Sequence, residues 1–359
     1  MEYMRLVFEK KYIRSFFYCK KLFVSLVRRL SGFVERGSVP NFIQRKARSF
    51  VFFLLFCITS GVYGQFDPMF SQNMFNPLMG NPGYAGSSGG MNVVLMNRNQ
   101  WTGIEGAPVT TVASADGAFQ LFGKRIGAGL EVMNDDIGFF NNLMVRASFA
   151  RRYLLGEGEL GVGVSAGVIS QTFDGTSTYV PESDFHEAND PLIPSAKVSG
   201  YTPDFGLGAY FQTSRWYAGL GIQHLFAPKP NFQEDFYVYI HRSLFVSGGY
   251  TFDFEERNYK LVPSVFVRQG GGSWQTDLNL NVHFRGRYWT GITYRFQDAI
   301  VLLAGIEFNN GIRAGYSYDV TTSELSKAGT GGSHEIVIGY RFDLDLDKQD
   351  KRYKSVRFL

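Results

Sequence analysis

Between Trp274 and Phe284 the even positions read Trp, Thr, Leu, Leu, Val and Phe, while the odd positions read Gln, Asp, Asn, Asn and His. A repeat of two places successive side chains on opposite faces of an extended strand, so one face is greasy and the other wet. The next stretch repeats it, with Tyr288, Ile292, Tyr294 and Phe296 on one side and Arg285, Arg287 and Arg295 on the other. After Phe66 no apolar run reaches helix length; the longest, Ala299 to Ile306, suits a strand. The pattern predicts an all-β chain.

A soluble sandwich would also alternate, and the glycines decide between the two. In Ile126-Gly127-Ala128-Gly129-Leu130-Glu131-Val132 and in Leu160-Gly161-Val162-Gly163-Val164, large aliphatics alternate with glycine or a polar residue. Such a face cannot fill a sandwich core. It suits a transmembrane antiparallel β-barrel, where lipid covers the apolar outside and the inside tolerates Gly, Ser and paired charges. Fourteen segments of about ten residues run from 91–101 to 333–343, an even number, as closed bacterial barrels have. Long connections at 170–202, 225–241 and 320–332 follow odd strands and are expected outside. Tight ones at 154–156, 213–214, 284–285 and 309–310 follow even strands and are expected in the periplasm, with 297–298 the exception. Aromatics near segment ends, such as Trp216, Tyr217, Tyr288, Trp289, Tyr340 and Phe342, would form an interfacial girdle.

Residues 1–64 read as a leader. They carry twelve Lys and Arg against three Asp and Glu, whereas residues 65–359 carry 24 against 29. The basic balance of the whole chain therefore belongs to the leader, and a nucleic-acid partner is excluded on charge. Arg45, Lys46 and Arg48 precede the apolar run Phe50 to Ile58, and Val62-Tyr63-Gly64 supplies a small residue before Gln65. That order predicts a signal peptide cut after Gly64 and export to a Gram-negative outer membrane. Both cysteines, Cys19 and Cys57, fall in the leader, so the exported chain has no disulfide, thiolate metal site or cysteine nucleophile.

Between leader and first strand, residues 65–90 are rich in proline and glycine and predict neither helix nor strand. Met69, Phe70, Met74, Phe75, Leu78 and Met79 are apolar side chains on proline-fixed turns and must be buried somewhere. The reading is a plug or collar against the periplasmic barrel mouth. The alternative is a docking element for a periplasmic partner, with Phe70, Met74, Phe75, Asn76, Pro77, Asn81, Pro82 and Tyr84 as the candidates. This stretch, Asp67-Pro68-Met69-Phe70-Ser71-Gln72 through Asn81-Pro82-Gly83-Tyr84-Ala85-Gly86, resembles the start of PorP/SprF outer-membrane proteins of the type IX secretion system. A second block is similar to the same family: Arg98, Gln100, Trp101, Gly106, Pro108 and Thr110, in a loop motif expected to fold over the lumen. A third is Gly127 to Leu130 with Asn134-Asp135-Asp136-Ile137-Gly138. The resemblance spans residues 66–343, with Asn73 and Gly83 departing from the family pattern. It implies a non-enzymatic barrel serving secretion, gliding motility or surface attachment. Its partners would be outer-membrane lipid, other type IX components of the periplasm and outer membrane, and a secreted adhesin or other exported protein.

No residue pattern announces chemistry or a cofactor. The five histidines, His186, His224, His241, His283 and His334, lack metal-ligand spacing, and His334-Glu335 lacks the second histidine of a zinc helix. Glu131, Asp277, Glu307 and Glu335 share the expected lumen face with Arg285, Arg287, Arg295, Arg313 and Arg341. Mixed signs predict a cross-linked, largely closed interior; a solute-selective constriction, hence a porin-like channel, is the alternative. The acidic cluster Asp174, Glu182, Asp184, Glu187 and Asp190 is expected in an outer loop, and residues 344–359 form a charged tail.

Overall fold

The computed structural model describes residues 67–177, 194–232, 238–254 and 258–342. The leader, the tail, Glu182, Asp184, Glu187 and Asp190 lie outside them.

The described chain is a single antiparallel sheet closed on itself. Its strands are β1 (Met91–Asn99), β2 (Val109–Leu121), β3 (Lys124–Ile137), β4 (Phe140–Leu155) and β5 (Gly158–Asp174). Then follow β6 (Lys197–Gln212), β7 (Trp216–Gln223), β8 (Ser243–Tyr250), β9 (Phe252–Phe254) and β10 (Tyr259–Gly270). The last five are β11 (Ser273–Phe284), β12 (Tyr288–Arg295), β13 (Ala299–Glu307), β14 (Ile312–Thr321) and β15 (Ser333–Phe342). Except for β8 and β9, each pairs with its sequence neighbours, β15 returns to β1, and β10 pairs with β11, which closes the ring. The short β9 and β8 both pair with β10, so they are two pieces of one stave and the barrel has fourteen staves. Closure removes every sheet edge, the condition for β structure in lipid.

The polarity is that of a protein turned inside out. On β11, Trp274, Leu278, Leu280 and Phe284 are exposed while Asp277, Asn279 and Asn281 are buried. The register is fixed by this alternation, since a slip of one residue would turn the whole polar row to lipid. Staves β2 to β6 have 13 to 17 residues, whereas β12 to β14 have 8 to 10, so one wall is taller than the other.

β1 ends at the edge carrying the long connections, here the loop end, and starts at the opposite turn end. Strands longer than expected make the connections at 138–139 and 271–272 tight as well, in addition to the one near 297. Trp289 and Tyr217 are also not part of an outer girdle: Trp289 is buried, Tyr217 half-buried, and both face the lumen.

Candidate functional site

The lumen is filled by the chain's own residues 67–90, and this plug is the candidate site. Its backbone makes three 3-10 turns, Asn73–Phe75, Pro77–Met79 and Pro82–Tyr84, the latter two begun by proline whose fixed φ favours the first helical position. The third is also capped, the Asn81 side chain accepting from Gly83 N at 2.9 Å. The expected collar at the turn-end mouth is thus corrected: the segment enters beside strand ends at the loop end, crosses the interior and leaves at the turn end into β1. The same geometry places the docking candidates within the lumen. Phe70, Asn76, Asn81 and Pro82 are buried and Met74, Phe75, Pro77 and Tyr84 half-buried, because the lumen is where these side chains leave water.

At the loop end the plug is held by charge. Asp67 Oδ1 lies 2.8 Å from His224 Nε2, and His224 Nδ1 lies 2.9 Å from Asp204 Oδ1. Arg146 continues the chain, donating to Asp204 at 3.2 Å and to the Met79 carbonyl at 3.0 Å. Arg268 donates to the Asp67 and Pro68 carbonyls. Burial works against a charged His224, yet the flanking Asp67 and Asp204 carboxylates overcome it and push its pKa up to about 9. Burial likewise opposes the Asp67 carboxylate, and His224 and Arg268 nevertheless hold it well below the usual range.

One turn further, Ser71 and Gln72 meet a second network. Their backbone N–H groups donate to the two oxygens of Glu335, at 2.7 and 2.8 Å, and the Ser71 hydroxyl donates to Asp319. Arg98 bridges Asp319 (2.7 Å) and Glu335 (3.1 Å), while Arg295 bridges Asp319 (2.8 Å) and Asp277 (3.0 Å). All five charged groups are essentially buried, with Arg98 1% exposed. Such charges are tolerated only when paired and hydrogen-bonded, and this arrangement, in which only Arg98 Nε among the five groups' nitrogens and oxygens is left without a hydrogen bond, enlists plug backbone to do so.

Around this second network, the latch, the plug is packed by shape. Phe70 joins Val94, Met96, Val112, Met133, Met144 and Val337, apolar side chains that point into the lumen. Phe75 rests on Trp289 at 5.0 Å between ring centres, and Tyr84 meets Tyr210 edge-on at 5.1 Å. The lumen-facing glycines form a seat for backbone: a Cβ on Gly127 would collide with the Ala85 carbonyl, and one on Gly163 with that of Pro82. At the turn end Arg152 donates to the Ala85 carbonyl and Ser87 hydroxyl, Gln212 to the Ser87 carbonyl, and Asp116 accepts from Gly86 N.

The remaining sequence candidates fall in several places. Glu131 (3.6 Å from Arg146), Asp277 and Arg295 lie in the lumen. Arg313 faces it near the turn end, and Glu307 stands exposed at that end of β13. Arg285 and Arg287 are corrected, for both lie exposed in the turn after β11. Arg285 takes φ 52° there with its guanidinium over the Phe284 ring, and Arg287 donates to Asn309. The period of two was carried past Phe284, where the strand stops. Of the loop motif, Arg98 is no loop residue but part of the latch. Gln100 N donates to the Pro108 carbonyl, Trp101 N to the Ser333 hydroxyl, and the Gly106 carbonyl accepts from Gly138 N. The first of these bonds closes the loop on itself and the other two tie it to the neighbouring β15 and β3–β4 turn. Thr110 donates to Asp135 from β2.

The sequence reading missed Asp67, Ser71, Gln72, Asp204, His224 and Asp319 as a set. A signal for a filled lumen was present: Met91-Asn92-Val93-Val94-Leu95-Met96 is apolar on both faces of β1 from Val93 on, as a strand covered on both sides must be.

A family model described as type IX secretion system membrane protein PorP/SprF matches residues 62–340. No curated protein matches the chain. Among solved structures it is similar to the outer membrane protein Omp33 of Acinetobacter baumannii, at 9% identity and TM-score 0.41 over 70% of this chain and 98% of that one. It is similar also to the translocator domain of autotransporter NalP from Neisseria meningitidis (15%, 0.39, 70% and 88%) and to the CymD monoaromatic hydrocarbon channel (13%, 0.41, 78% and 95%).

Proposed function

This chain belongs to the PorP/SprF family of type IX secretion system membrane proteins, and from that membership we propose that it supports export or cell-surface attachment of secreted proteins by protein contact. A closed barrel with an apolar exterior, in a family of secretion-system membrane components, resides in the outer membrane. The observation that carries the proposal is the plugged lumen. A segment tied to both ends of the interior leaves the rims and loops as the surfaces available to partners, and it weighs against free solute diffusion.

The proposed action involves no bond-making chemistry. Among the described residues the nearest approach to a catalytic group is Asp67–His224–Asp204, but both ring nitrogens of His224 are engaged by carboxylates, leaving neither to activate a hydroxyl. The partners under this reading are other secretion components of the envelope and an exported protein such as an adhesin.

The test is a pull-down in gentle detergent from outer membranes through a tag after Leu359, paired with planar-bilayer conductance of the purified barrel. Recovery of secretion components or one large secreted protein, with little conductance, is the expected result. A barrel recovered alone that conducts steadily as an open pore would sink the proposal in favour of a porin.

A further inference from the structure

The plug does not fill the lumen evenly. Between it and the inner wall of β6 to β11, toward the turn end, lies a vestibule of about 500 Å³. Its walls combine the aromatic rings of Phe75, Tyr84, Tyr210, Tyr217, Phe245 and Phe266 with amide and hydroxyl side chains and, at one side, the charged Glu307, Arg313 and Arg341. Small-molecule sites have this size and this mixture of apolar wall and few placed polar groups.

The charges around it are unlike those elsewhere in the lumen. Arg98, Arg146, Arg152 and Arg295 each hold a carboxylate within 3.2 Å. Arg313 lines the vestibule and, among the described residues, has no ion pair. Its Nη2 donates to the neutral Asn92 side chain at 2.6 Å, and its guanidinium lies over Phe75, 5.3 Å from the ring centre. Its Nε, like those of Arg98, Arg146 and Arg152, is buried and makes no hydrogen bond, and it packs against Gly339; Asn73 Nδ2 and Asn281 Oδ1, the latter on a residue 4% exposed, also make none. A partly buried guanidinium that lines open volume and has no carboxylate within ion-pair distance, although Glu307 stands opposite it in the β13–β14 register, is incomplete as a structural element, because charge in such surroundings needs an opposite charge. It is complete as one side of an anion site, since the guanidinium fork matches carboxylate and phosphate oxygens. Arg341, which donates to the Ser88 carbonyl, adds a second cation at the mouth, facing Glu307 and His283.

We propose that the vestibule binds a small organic anion, a carboxylate or phosphate on an apolar body, with its charged end on Arg313 and its body between the aromatic walls. The site is distinct from any rim contact used in secretion, and its occupancy would bear on the plug, which supplies Asn73, Phe75 and Tyr84 to its lining.

The test is calorimetric titration of the full-length barrel in an uncharged detergent, using 2-naphthoate, 2-naphthyl phosphate, the neutral 2-naphthalenemethanol and inorganic phosphate. Saturable binding of one aryl anion per barrel is expected, at least tenfold weaker for the neutral analogue, and the stronger of the two anions identifies the head group. Arg313→Gln should weaken it at least tenfold, while Arg287→Gln, at the exposed turn, should leave it unchanged. Val262→Trp, which fills the vestibule from β10 and leaves Arg313 in place, should also abolish binding, and heat-modifiable gel mobility confirms folding of each variant. The proposal is overturned if no aryl anion saturates, or if Arg313→Gln and Val262→Trp bind as wild type does. Displacement of naphthoate by inorganic phosphate at matching concentration would overturn the apolar body.

Discussion

Residues 67–72 and residues 73–88 belong to one plug, yet they are held differently. The first group is locked by ions: Asp67 by His224 and Arg268, Ser71 and Gln72 by Glu335 and Asp319. The second has no ionised side chain of its own: Arg146, Arg152 and Asp116 hydrogen-bond its backbone at Met79, Ala85 and Gly86, but its seat is mainly fit, with backbone lying on glycine and aromatic rings on one another, and it leaves an unfilled vestibule on one side. A network of buried charge specifies position to a fraction of an ångström because every unmade bond is costly. Apolar and backbone packing against glycine tolerates a gap where the walls diverge. The loop-end half therefore sets where the plug sits, and the turn-end half is where the interior can accept something else.

That contrast is broken most severely at the arginines. Arg295→Met strips Asp277 and Asp319 of their shared partner and should destabilise the barrel by about 3–5 kcal/mol, whereas Arg313→Met, removing a cation without a carboxylate, should change stability by less than about 1 kcal/mol. Urea unfolding in detergent, followed by loss of the compact gel form, compares them; equal losses would erase the distinction between the halves. Next comes Gly163→Val, which drives a side chain into the Pro82 carbonyl. It should cost about 1–3 kcal/mol as an overpacked interior does and should raise labelling of a cysteine placed at Phe75.

A pH scan separates the halves without mutation. His224 has an ordinary pKa of 6.5 and is raised to about 9 in the fold, so its contribution is complete below 6.5 and fades as pH rises through 9. Asp67 is shifted the other way, and its contribution is lost only in strong acid, far below its ordinary 3.8. Corrected for intrinsic exchange, amide opening at residues 67–72 should therefore rise about tenfold between pH 6.5 and 9.5, while residues 80–88 hold steady. A uniform rise along the plug would mean that its halves are not separately anchored. The smallest effect is expected from Arg287→Gln, within about 0.5 kcal/mol of wild type as for a solvated turn residue.

Much of the barrel was legible because a period of two against lipid is a local property. The sign of each face, the even count and the closure all follow from residues two apart in sequence. The plug's seat was not legible, because Ser71 meets Glu335 across 264 positions and nothing local announces that pairing. From local pattern alone Gly127 and Gly163 are residues the lumen merely tolerates, although their missing side chains are what admit the plug backbone. Arg285 shows the opposite error: a real period, extended beyond the strand that produced it. Val94 and Met96, greasy toward the inside, carried the missing information, since water would not be their neighbour.

The latch also constrains the order of assembly. Ser71 and Gln72 are made before any strand, but their partners come from β12, β14, β15 and β1, which become neighbours only when the sheet has joined its last strand to its first. The earliest part of the described chain is thus among the last to be satisfied, and it must already lie within the curling sheet when the seam closes. A barrel that closed without it would strand Asp319 and Glu335 in a dry interior with fewer partners. Correct closure and correct threading are in this way a single event, slow to reach for want of local contacts and self-checking once reached.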